Sequence, residues 1–283
     1  MSKIGLVLEG GGMRGLFTAG VLDSFLSENI EFDEVIGVSA GACHGCSYVS
    51  KQKERAKKTN LDYLHDRRYS GMYSWITTGD FFGAKFLYET IPNEIFPFDH
   101  ATYNQSKTNL TAVLSDVETG EAVYYPLKDM NKDIQALRAS ASLPLLSRTV
   151  TVDGREYLDG GVTDSIPLRK IQEECDFVVV VLTQKRGYRK SASKTTKLVS
   201  LLYKKYPKLV ERMKNRHTDY NETIDYLEKE EKLGKVYVIA PKEEVVIGRL
   251  EKDRAKLEEL YQQGYDTVKQ QLTEIRQFIE MKK

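Results

Sequence analysis

The sequence predicts an α/β protein built on a mostly parallel central sheet. Apolar runs and helical patterns alternate from the N-terminus, with "KIGLVLEGG" typical of a buried strand, "LFTAGVLDSFLSEN" of a helix and "EVIGV" of a second strand. Strand–helix–strand units in this rhythm pair in parallel through right-handed crossovers. The later run "FVVVV" shows no alternation, which is expected of a strand that is covered on both faces.

The remaining elements follow along the chain. The segment "AGACHGCSYVSKQKERAKKT" predicts a second helix, and strands are predicted in "NLTAVLSDV", "EAVYYPL", "EYL", "FVVVVLT" and "KVYVIAP". We expect residues 1–183 to form the core domain. Residues 184–283, basic at first and then acidic, are expected to form a helix-rich region that packs on the same domain and contributes one late strand at about 235–240.

Composition excludes several classes of protein. The chain has 283 residues, 41% of them hydrophobic and 29% charged, and a net charge of +1, so nucleic acid is not an expected partner. Three cysteines cannot form a disulfide framework, which suits a reducing compartment. No apolar run approaches the roughly 20 residues that span a bilayer, and "MSKIGLVLEGGG" has the pattern of a first strand rather than of a signal peptide. We expect a cytoplasmic or peripheral membrane protein.

Two regions have unusual compositions. Residues 73–103 are rich in aromatic side chains, which indicates either a packed helical layer or the lining of an acyl-chain pocket or lid. Residues 185–216 contain twelve Lys and Arg residues and one acid, Glu211, with leucines between them. This pattern is typical of a solvated basic face, and it also favours contact with an anionic membrane.

A glycine-rich loop follows the first strand. In "LEGGGMRGLF", the residues Gly10-x-Gly12-x-x-Gly15 match the dinucleotide-binding fingerprint. That fingerprint also requires an acid about 20 residues further on, at the end of the second strand, whereas Asp33 and Glu34 precede that strand. The alternative is an oxyanion hole, because backbone N–H groups at a helix N-terminus bind developing negative charge. Its candidate residues are Gly10, Gly11, Gly12, Met13, Arg14 and Gly15.

A serine stands where a nucleotide-binding protein would have its acid. Ser39 follows the second strand in "GVSAG" and precedes a helix, with Gly37 and Gly41 on either side. The sharp strand-to-helix turn of a nucleophile elbow requires small residues at these positions. The alternative interpretation is a tight turn whose glycines only permit close packing.

The base that would activate Ser39 is predicted to be Asp159. This residue ends the short strand "EYL" and is followed by Gly160 and Gly161. The only histidine after it is His217, in a polar helical stretch, and His44 lies in the helix after the elbow; neither position favours a catalytic histidine. Aspartate is a weak base at its usual pKa of about 3.9, but partial desolvation raises that pKa. Esters suit such a base better than amides do.

The pair Cys43 and Cys46 in "CHGC" could indicate a metal or redox site. There is no second pair, and the two positions share one face of a helix, so core packing explains them better. We therefore predict no metal and no cofactor.

Taken together, the motifs resemble those of the patatin-like phospholipases and acyl hydrolases. The resemblance rests on "EGGGMRG", "GVSAG" and "DGGVTDSIPL", in this order, and on the Ala/Ser-rich segment "RASASLPLLS" that precedes Asp159. It covers about residues 4–183 and is nearest to the bacterial single-domain members. The usual asparagine of the family after its Asp-Gly-Gly block is replaced here by Asp164 or Ser165.

The resemblance implies a three-layer α/β/α fold, a Ser39–Asp159 dyad without histidine and an oxyanion hole in the glycine loop. It also implies hydrolysis of acyl esters in phospholipids, lysophospholipids or neutral lipids, with no metal needed for the chemistry. Two other hypotheses stay open at this point: a nucleotide-binding protein that uses Gly10–Gly15, and a non-catalytic, membrane-associated relative of the hydrolases.

Overall fold

The computed structural model describes residues 3–280 and contains one eight-stranded mixed sheet. Its strands are β1 (Ile4–Leu8), β2 (Glu34–Val38), β3 (Asn109–Asp116), β4 (Ala122–Pro126), β5 (Val150–Val152), β6 (Arg155–Asp159), β7 (Phe177–Val181) and β8 (Val236–Ile239). The predicted α/β class is confirmed. The three-residue strand β5 was not predicted, because it is too short to show a pattern before the turn at Asp153 and Gly154.

The sheet has the order β5-β6-β3-β2-β1-β7-β8, and β4 also pairs with β3. Strands β3, β2, β1, β7 and β8 are parallel to one another. Strands β4 and β6 each pair antiparallel with β3, and β5 pairs antiparallel with β6. Because the parallel strands point the same way, the loops after β1 and β2 lie side by side at one edge of the sheet. We call it the carboxyl edge; ligands bind at this edge in open α/β sheets.

Eleven α-helices lie within residues 3–280. They are α1 (Leu16–Ser27), α2 (Ala40–Val49), α3 (Arg55–Leu61), α4 (Met72–Thr78), α5 (His100–Gln105), α6 (Met130–Ser140), α7 (Leu168–Ile171), α8 (Thr196–Leu202), α9 (Pro207–Lys232), α10 (Arg254–Gln270) and α11 (Leu272–Glu280). The single helix predicted from Ala40 onward is in fact two, α2 and α3. Lys51 and Glu54 between them have φ angles of 53° and 62°, and a right-handed helix cannot continue through left-handed residues.

Helices cover both faces of the sheet, which gives the three layers that the family resemblance implied. On one face, α1, α2, α10 and α11 pack against side chains such as Leu6 and Leu8 of β1. On the other face, α7 and α9 pack against the opposite side of the sheet, including Val7 of β1. Alternate residues of one strand thus enter separate cores, as the side-chain period of a strand requires.

The C-terminal helices share these cores. Strand β8 pairs in parallel with β7, and α10 crosses α1 so closely that an added Cβ at Gly20 would lie 2.0 Å from the Tyr261 carbonyl oxygen. The reciprocal contact is at Gly264, where a Cβ would lie 2.1 Å from the Phe17 oxygen. Among residues 3–280, no helix combines the length and the apolar composition that crossing a bilayer requires.

Candidate active site

Ser39 occupies a strained turn between β2 and α2. Its φ and ψ are 56° and −123°, a backbone conformation that is rarely populated by residues other than glycine and that is typical of functional turns. The turn is possible because its neighbours are small: a Cβ at Gly37 would lie 2.5 Å from the Ala42 backbone, and one at Gly41 would lie 2.5 Å from the Leu8 oxygen. Ser39 is thereby held at the carboxyl edge with 6% of its surface exposed.

Asp159 ends β6 beside this turn and is also buried, with 3% exposure. Its Oδ1 accepts the N–H of Gly161 at 2.8 Å, while its Oδ2 has no hydrogen-bond partner in the described part of the chain. Its own carbonyl oxygen accepts the Ser115 hydroxyl at 2.8 Å, which fixes the strand end. One carboxylate oxygen is therefore committed to the loop, and the other is left for a proton.

The environment makes Asp159 a stronger base than an exposed aspartate. Burial raises its pKa, because the protein interior disfavours the charged carboxylate. The hydroxyl of Ser39, which interacts with the carboxylate, is the largest influence that opposes this rise, followed by the positive charge of Arg216. The electrostatics thus couple Ser39 and Asp159 directly.

The segment "RASASLPLLS" braces both residues. The Ser140 hydroxyl oxygen accepts the backbone N–H of Ser39 at 3.0 Å, and the Ser142 carbonyl oxygen accepts the N–H of Asp159 at 2.8 Å. In the sequence this segment indicates only the family resemblance, and these two supporting contacts become visible in the folded chain. The signal was present in its small side chains, which let the segment run between the elbow and the Asp159 loop.

The glycine loop packs against Ser39. A Cβ at Gly10 would lie 3.3 Å from the Cβ of Ser39. The amides of Met13 and Arg14 are already used, since they donate to the oxygens of Arg249 at 3.1 Å and of Gly11 at 3.3 Å. Within residues 3–280, the amides of Gly10–Gly12 donate to no protein acceptor. These are the loop donors that remain free for an anion.

Arg14 lies in the same loop, but its side chain has no hydrogen-bonding role through Nε among residues 3–280. Its Nε is buried without a partner in the described chain, and burial lowers the pKa of its guanidinium. Gly15 packs on the start of α2, where a Cβ would lie 2.8 Å from the Cβ of Ala40. Both residues therefore contribute to the packing of the loop.

The acids of the dinucleotide hypothesis lie at the other edge of the sheet. Glu34 pairs with Gly5 in the β1–β2 register and binds Lys3 at 2.9 Å, and the Asp33 carboxylate accepts the N–H of Ile4 at 2.8 Å. Gly10 follows the opposite end of β1. The dinucleotide fingerprint requires an acid at the end of β2, next to the glycine loop. Asp33 and Glu34 instead stand at the start of β2, and because β1 and β2 are parallel, the start of β2 is far from the loop that follows β1.

No histidine of the described chain is hydrogen-bonded to Ser39 or Asp159. His44 is buried in α2, and burial lowers its pKa to about 4, so it is neutral at physiological pH. The ring of His217 is engaged with the Lys214 oxygen at 3.0 Å on α9.

An apolar cavity of about 310 Å³ adjoins Ser39. Its walls include Leu87, Tyr88 and Ile91 from a π-helix, Phe86–Ile95, together with Leu137 and Leu143. Such helices are rare and often mark functional sites. The aromatic region 73–103 thus combines the two alternatives: it packs a helical layer, and it lines the cavity beside the serine.

A second recess, of about 160 Å³, adjoins Asp159. Leu143 lines both spaces, so the two are neighbours, with Ser39 on the wall of one and Asp159 on the wall of the other. This recess is lined largely by residues beyond 183, including Arg216 and Arg249. Arg216 of α9 also supports the Asp-Gly-Gly loop, since it donates to the Gly161 oxygen and, at 3.4 Å, to the Ser165 hydroxyl.

The strained serine elbow, the buried carboxylate beside it and the three-layer sheet define a three-layer α/β protein with a serine at the carboxyl edge of its sheet. The family model described as Patatin-like phospholipase matches residues 6–170, and the chain therefore belongs to the patatin-like phospholipase family. A second model, Domain of unknown function (DUF6363), matches residues 206–280.

Individual relatives agree with this assignment. The chain is 30% identical over 185 residues to "Uncharacterized protein YjjU" of Escherichia coli (strain K12), covering 64% of this chain and 51% of the relative. It is 29% identical over 193 residues to "Lysophospholipase NTE1" of Yarrowia lipolytica, covering 62% of this chain and 12% of the relative. The chain thus spans about half the length of the first and a small part of the second.

A solved structure shares the fold. VipD from Legionella pneumophila superposes with a TM-score of 0.52 at 14% identity, and the match covers 97% of this chain and 67% of VipD. At this identity the likeness extends to the fold alone. Its coverage includes the helices beyond residue 183.

Proposed function

We propose that the protein hydrolyses carboxylic esters of lipids by means of a Ser39–Asp159 dyad. The observation that carries the proposal is the buried Asp159 carboxylate, whose Oδ2 is unpartnered beside a serine in a strained elbow. An apolar cavity that opens on the same serine supports an acyl chain as the substrate group. Membership of the patatin-like phospholipase family supports the same chemistry.

The proposed reaction has two halves. Ser39 Oγ attacks the ester carbonyl while Asp159 Oδ2 accepts the hydroxyl proton, and the same carboxyl then gives that proton to the leaving alcohol. The developing oxyanion is stabilised by the free amides of Gly10–Gly12, each of which contributes a factor of about 10²–10³ in comparable sites. Water deacylates the serine in the second half, with Asp159 again as base.

Lipids are the proposed substrate class because of the shape and the lining of the site. The 310 Å³ cavity is enclosed mainly by apolar side chains, which favour a hydrocarbon chain over a polar acyl group. The name of the Yarrowia lipolytica relative, lysophospholipase NTE1, is consistent with a phospholipid or lysophospholipid substrate.

The proposal is tested with a fluorophosphonate probe and a lipid assay. We expect the probe to label Ser39, identified by peptide mass spectrometry, and to leave Ser47 unmodified although Ser47 lines the same cavity. The wild-type protein should also release fatty acids from a mixed lipid extract. Folded protein that neither reacts with the probe nor releases fatty acid from any lipid class would refute the hydrolase proposal.

We also propose that the protein docks peripherally on anionic membranes through α8. Three leucines of this helix are largely exposed, Leu198 at 47%, Leu201 at 66% and Leu202 at 61%. Arg186, Arg189 and Arg212 of the basic stretch 185–216 are paired with acids. Exposed lysines near α8 form no ion pair in the described chain: Lys194, Lys197, Lys204 and Lys208.

The position of α8 supports this docking. The hydroxyl oxygen of Tyr203, just after the helix, accepts the Leu145 amide N–H at 3.1 Å, and Leu145 lines the recess beside Asp159. Helix α4 also exposes apolar side chains, such as Ile76 at 75%. The chain just after α4 contacts the segment that contains Leu145, because the Phe81 amide donates to the Leu146 oxygen at 2.7 Å. Apolar and basic groups therefore surround one entrance.

Replacing Leu201 and Leu202 together by Glu should weaken binding to vesicles that contain an anionic phospholipid by about tenfold or more, because each exposed leucine contributes of order 1 kcal/mol on insertion. Co-sedimentation measures this. Leu233→Glu is the matched control, since Leu233 is 59% exposed but precedes β8 at the opposite edge of the sheet. Equal losses in both variants would contradict docking through α8.

A further inference from the structure

Four basic side chains converge behind the proposed active site. They are Arg14 in the glycine loop, Lys190 after β7, Arg216 on α9 and Arg249 after β8. All four are half-buried. Their charges act on one another: burial lowers the pKa of Arg216 to about 10, and the charge of Arg249 is the next cause; Arg249 also lowers the pKa of Arg14 and of Lys190.

None of the four forms an ion pair within the described chain. The Lys190 ammonium lies 3.8 Å from the centre of the Tyr220 ring, and Arg216 donates only to Gly161 and Ser165. Arg249 is held through its backbone, whose oxygen accepts the Met13 amide. Such a gathering of like charges is unfavourable unless an anion joins it.

Two carboxylates are near, Glu9 and Asp159, and together they are too few to balance the four cations. Glu9 accepts the Thr183 N–H at 2.6 Å, the Thr183 hydroxyl at 3.0 Å and the Tyr220 hydroxyl at 2.9 Å, so neutral donors satisfy it. Asp159 is committed to Gly161 and to the serine. Four cations against two carboxylates leave a surplus of two positive charges.

Two of the four cations lie on the alcohol side of the proposed substrate. Arg216 and Arg249 line the 160 Å³ recess next to Asp159, and hydroxyl groups of Ser193, Thr195 and Thr196 line it too. An ester bound with its acyl chain in the 310 Å³ cavity and its carbonyl at Ser39 would extend its alcohol portion into this recess. In a glycerophospholipid, that portion carries the phosphate.

We propose that Arg216 and Arg249, which line the recess, form a phosphate subsite that binds the head-group phosphate of a phospholipid or lysophospholipid substrate, with the positive charge of Lys190 supporting them. The proposal rests on the hydrolase function proposed above and goes beyond it, because all three residues lie outside the family match at residues 6–170. Arginine suits this task, since its planar guanidinium donates two parallel hydrogen bonds to phosphate oxygens. Residues 206–280, matched by a domain of unknown function, thereby acquire a role in substrate binding.

The test compares two substrates with the same acyl chain, a lysophospholipid and a neutral monoacylglycerol. Arg249→Gln and, separately, Lys190→Gln should each lower the ratio of the lysophospholipid to the monoacylglycerol kcat/KM by about tenfold or more, the effect of one charge-assisted hydrogen bond. Arg212→Gln is the control: Arg212 is on the same helix as Arg216 but pairs with Asp219 at the surface. An unchanged ratio in both folded variants would overturn the proposal.

Thermal unfolding with inorganic phosphate, against chloride at equal ionic strength, separates the remaining outcomes. Phosphate should raise the Tm of the wild type and not that of Arg249→Gln, because a ligand that binds the native state stabilises it. Stabilisation without hydrolysis of any ester would support the anion site and refute the hydrolase function. Stabilisation with an unchanged substrate ratio would identify a site for free phosphate and overturn head-group recognition.

Discussion

Replacing Ser39 by Ala or Asp159 by Asn is expected to reduce fatty acid release by about 10³-fold or more. Either change removes a member of the proposed dyad, in which nucleophile and base act together, and losses within such a unit are not additive. The double variant should therefore be about as inactive as each single one. The measurement is kcat/KM on a medium-chain nitrophenyl ester and on a lysophospholipid.

The control for the dyad is His217→Ala. His217 lies on the polar face of α9 and contacts the Lys214 oxygen, so its loss should leave both rates nearly unchanged. A thousandfold loss in this variant would require a triad. Substantial turnover by folded Asp159→Asn would show that another group accepts the serine proton.

The same substitution at Asp159 should stabilise the protein at neutral pH. Because burial raises the pKa of Asp159 in the folded state, the native protein favours the protonated carboxyl, and the stability that this provides is lost as pH rises through the folded pKa. Asparagine carries no charge at any pH. The Tm of Asp159→Asn should therefore exceed that of the wild type at pH 7, and the difference should shrink as the solution is acidified.

The second large effect is expected at Gly41. In Gly41→Ala the new Cβ would lie 2.5 Å from the Leu8 oxygen and 3.0 Å from the Glu9 oxygen, both backbone atoms that cannot rotate away. We expect the elbow to shift, with a loss of about 1–3 kcal/mol of unfolding free energy from overpacking. The rate should fall by about 10²-fold, because catalysis is sensitive to displacements near 1 Å. Denaturant unfolding and ester hydrolysis measure the two effects.

Gly45→Ala, one turn further along α2, is the matched control. Its Cβ would lie 3.0 Å from the Leu110 Cδ1, the end of a side chain that can adjust, and alanine favours helix by about 1 kcal/mol over glycine. This variant should stay active and close to wild type in stability. If Gly41→Ala were equally active and stable, the close approach of α2 to β1 would not position Ser39.

Residues of the C-terminal region contact the loops of the proposed active site and also line the recess beside it. The Arg249 backbone closes the glycine loop by accepting the Met13 amide, and a Cβ at Gly12 would lie 2.7 Å from the same Arg249 oxygen. Arg216 of α9 ties the Asp-Gly-Gly loop. Two of the three motif loops are thus braced by residues that the family model does not cover.

Much of this arrangement could be predicted because its signals are local. A strand, an elbow of small residues and a helix are written within a few positions around Ser39, and the apolar pattern of "FVVVV" marks a covered strand without any knowledge of its neighbours. The break between α2 and α3 could not be predicted, since Lys51 and Glu54 carry no turn signal and adopt left-handed angles under the constraint of packing. Propensity is a weak prior against such tertiary context.

By itself, the sequence determined the fold class, the family, and the order of the three motifs from Gly10 to Gly161, because each depends on residues that are neighbours along the chain. Only the tertiary structure decided which loop amides stay free, that Ser140 and Ser142 brace Ser39 and Asp159, and that four cations from distant segments meet without forming an ion pair among residues 3–280. The physical reason is that a hydrogen bond or a charge interaction depends on which groups are close in space. Parallel strands and crossing helices bring together residues that are more than 200 positions apart in the sequence, such as Glu9 and Tyr220.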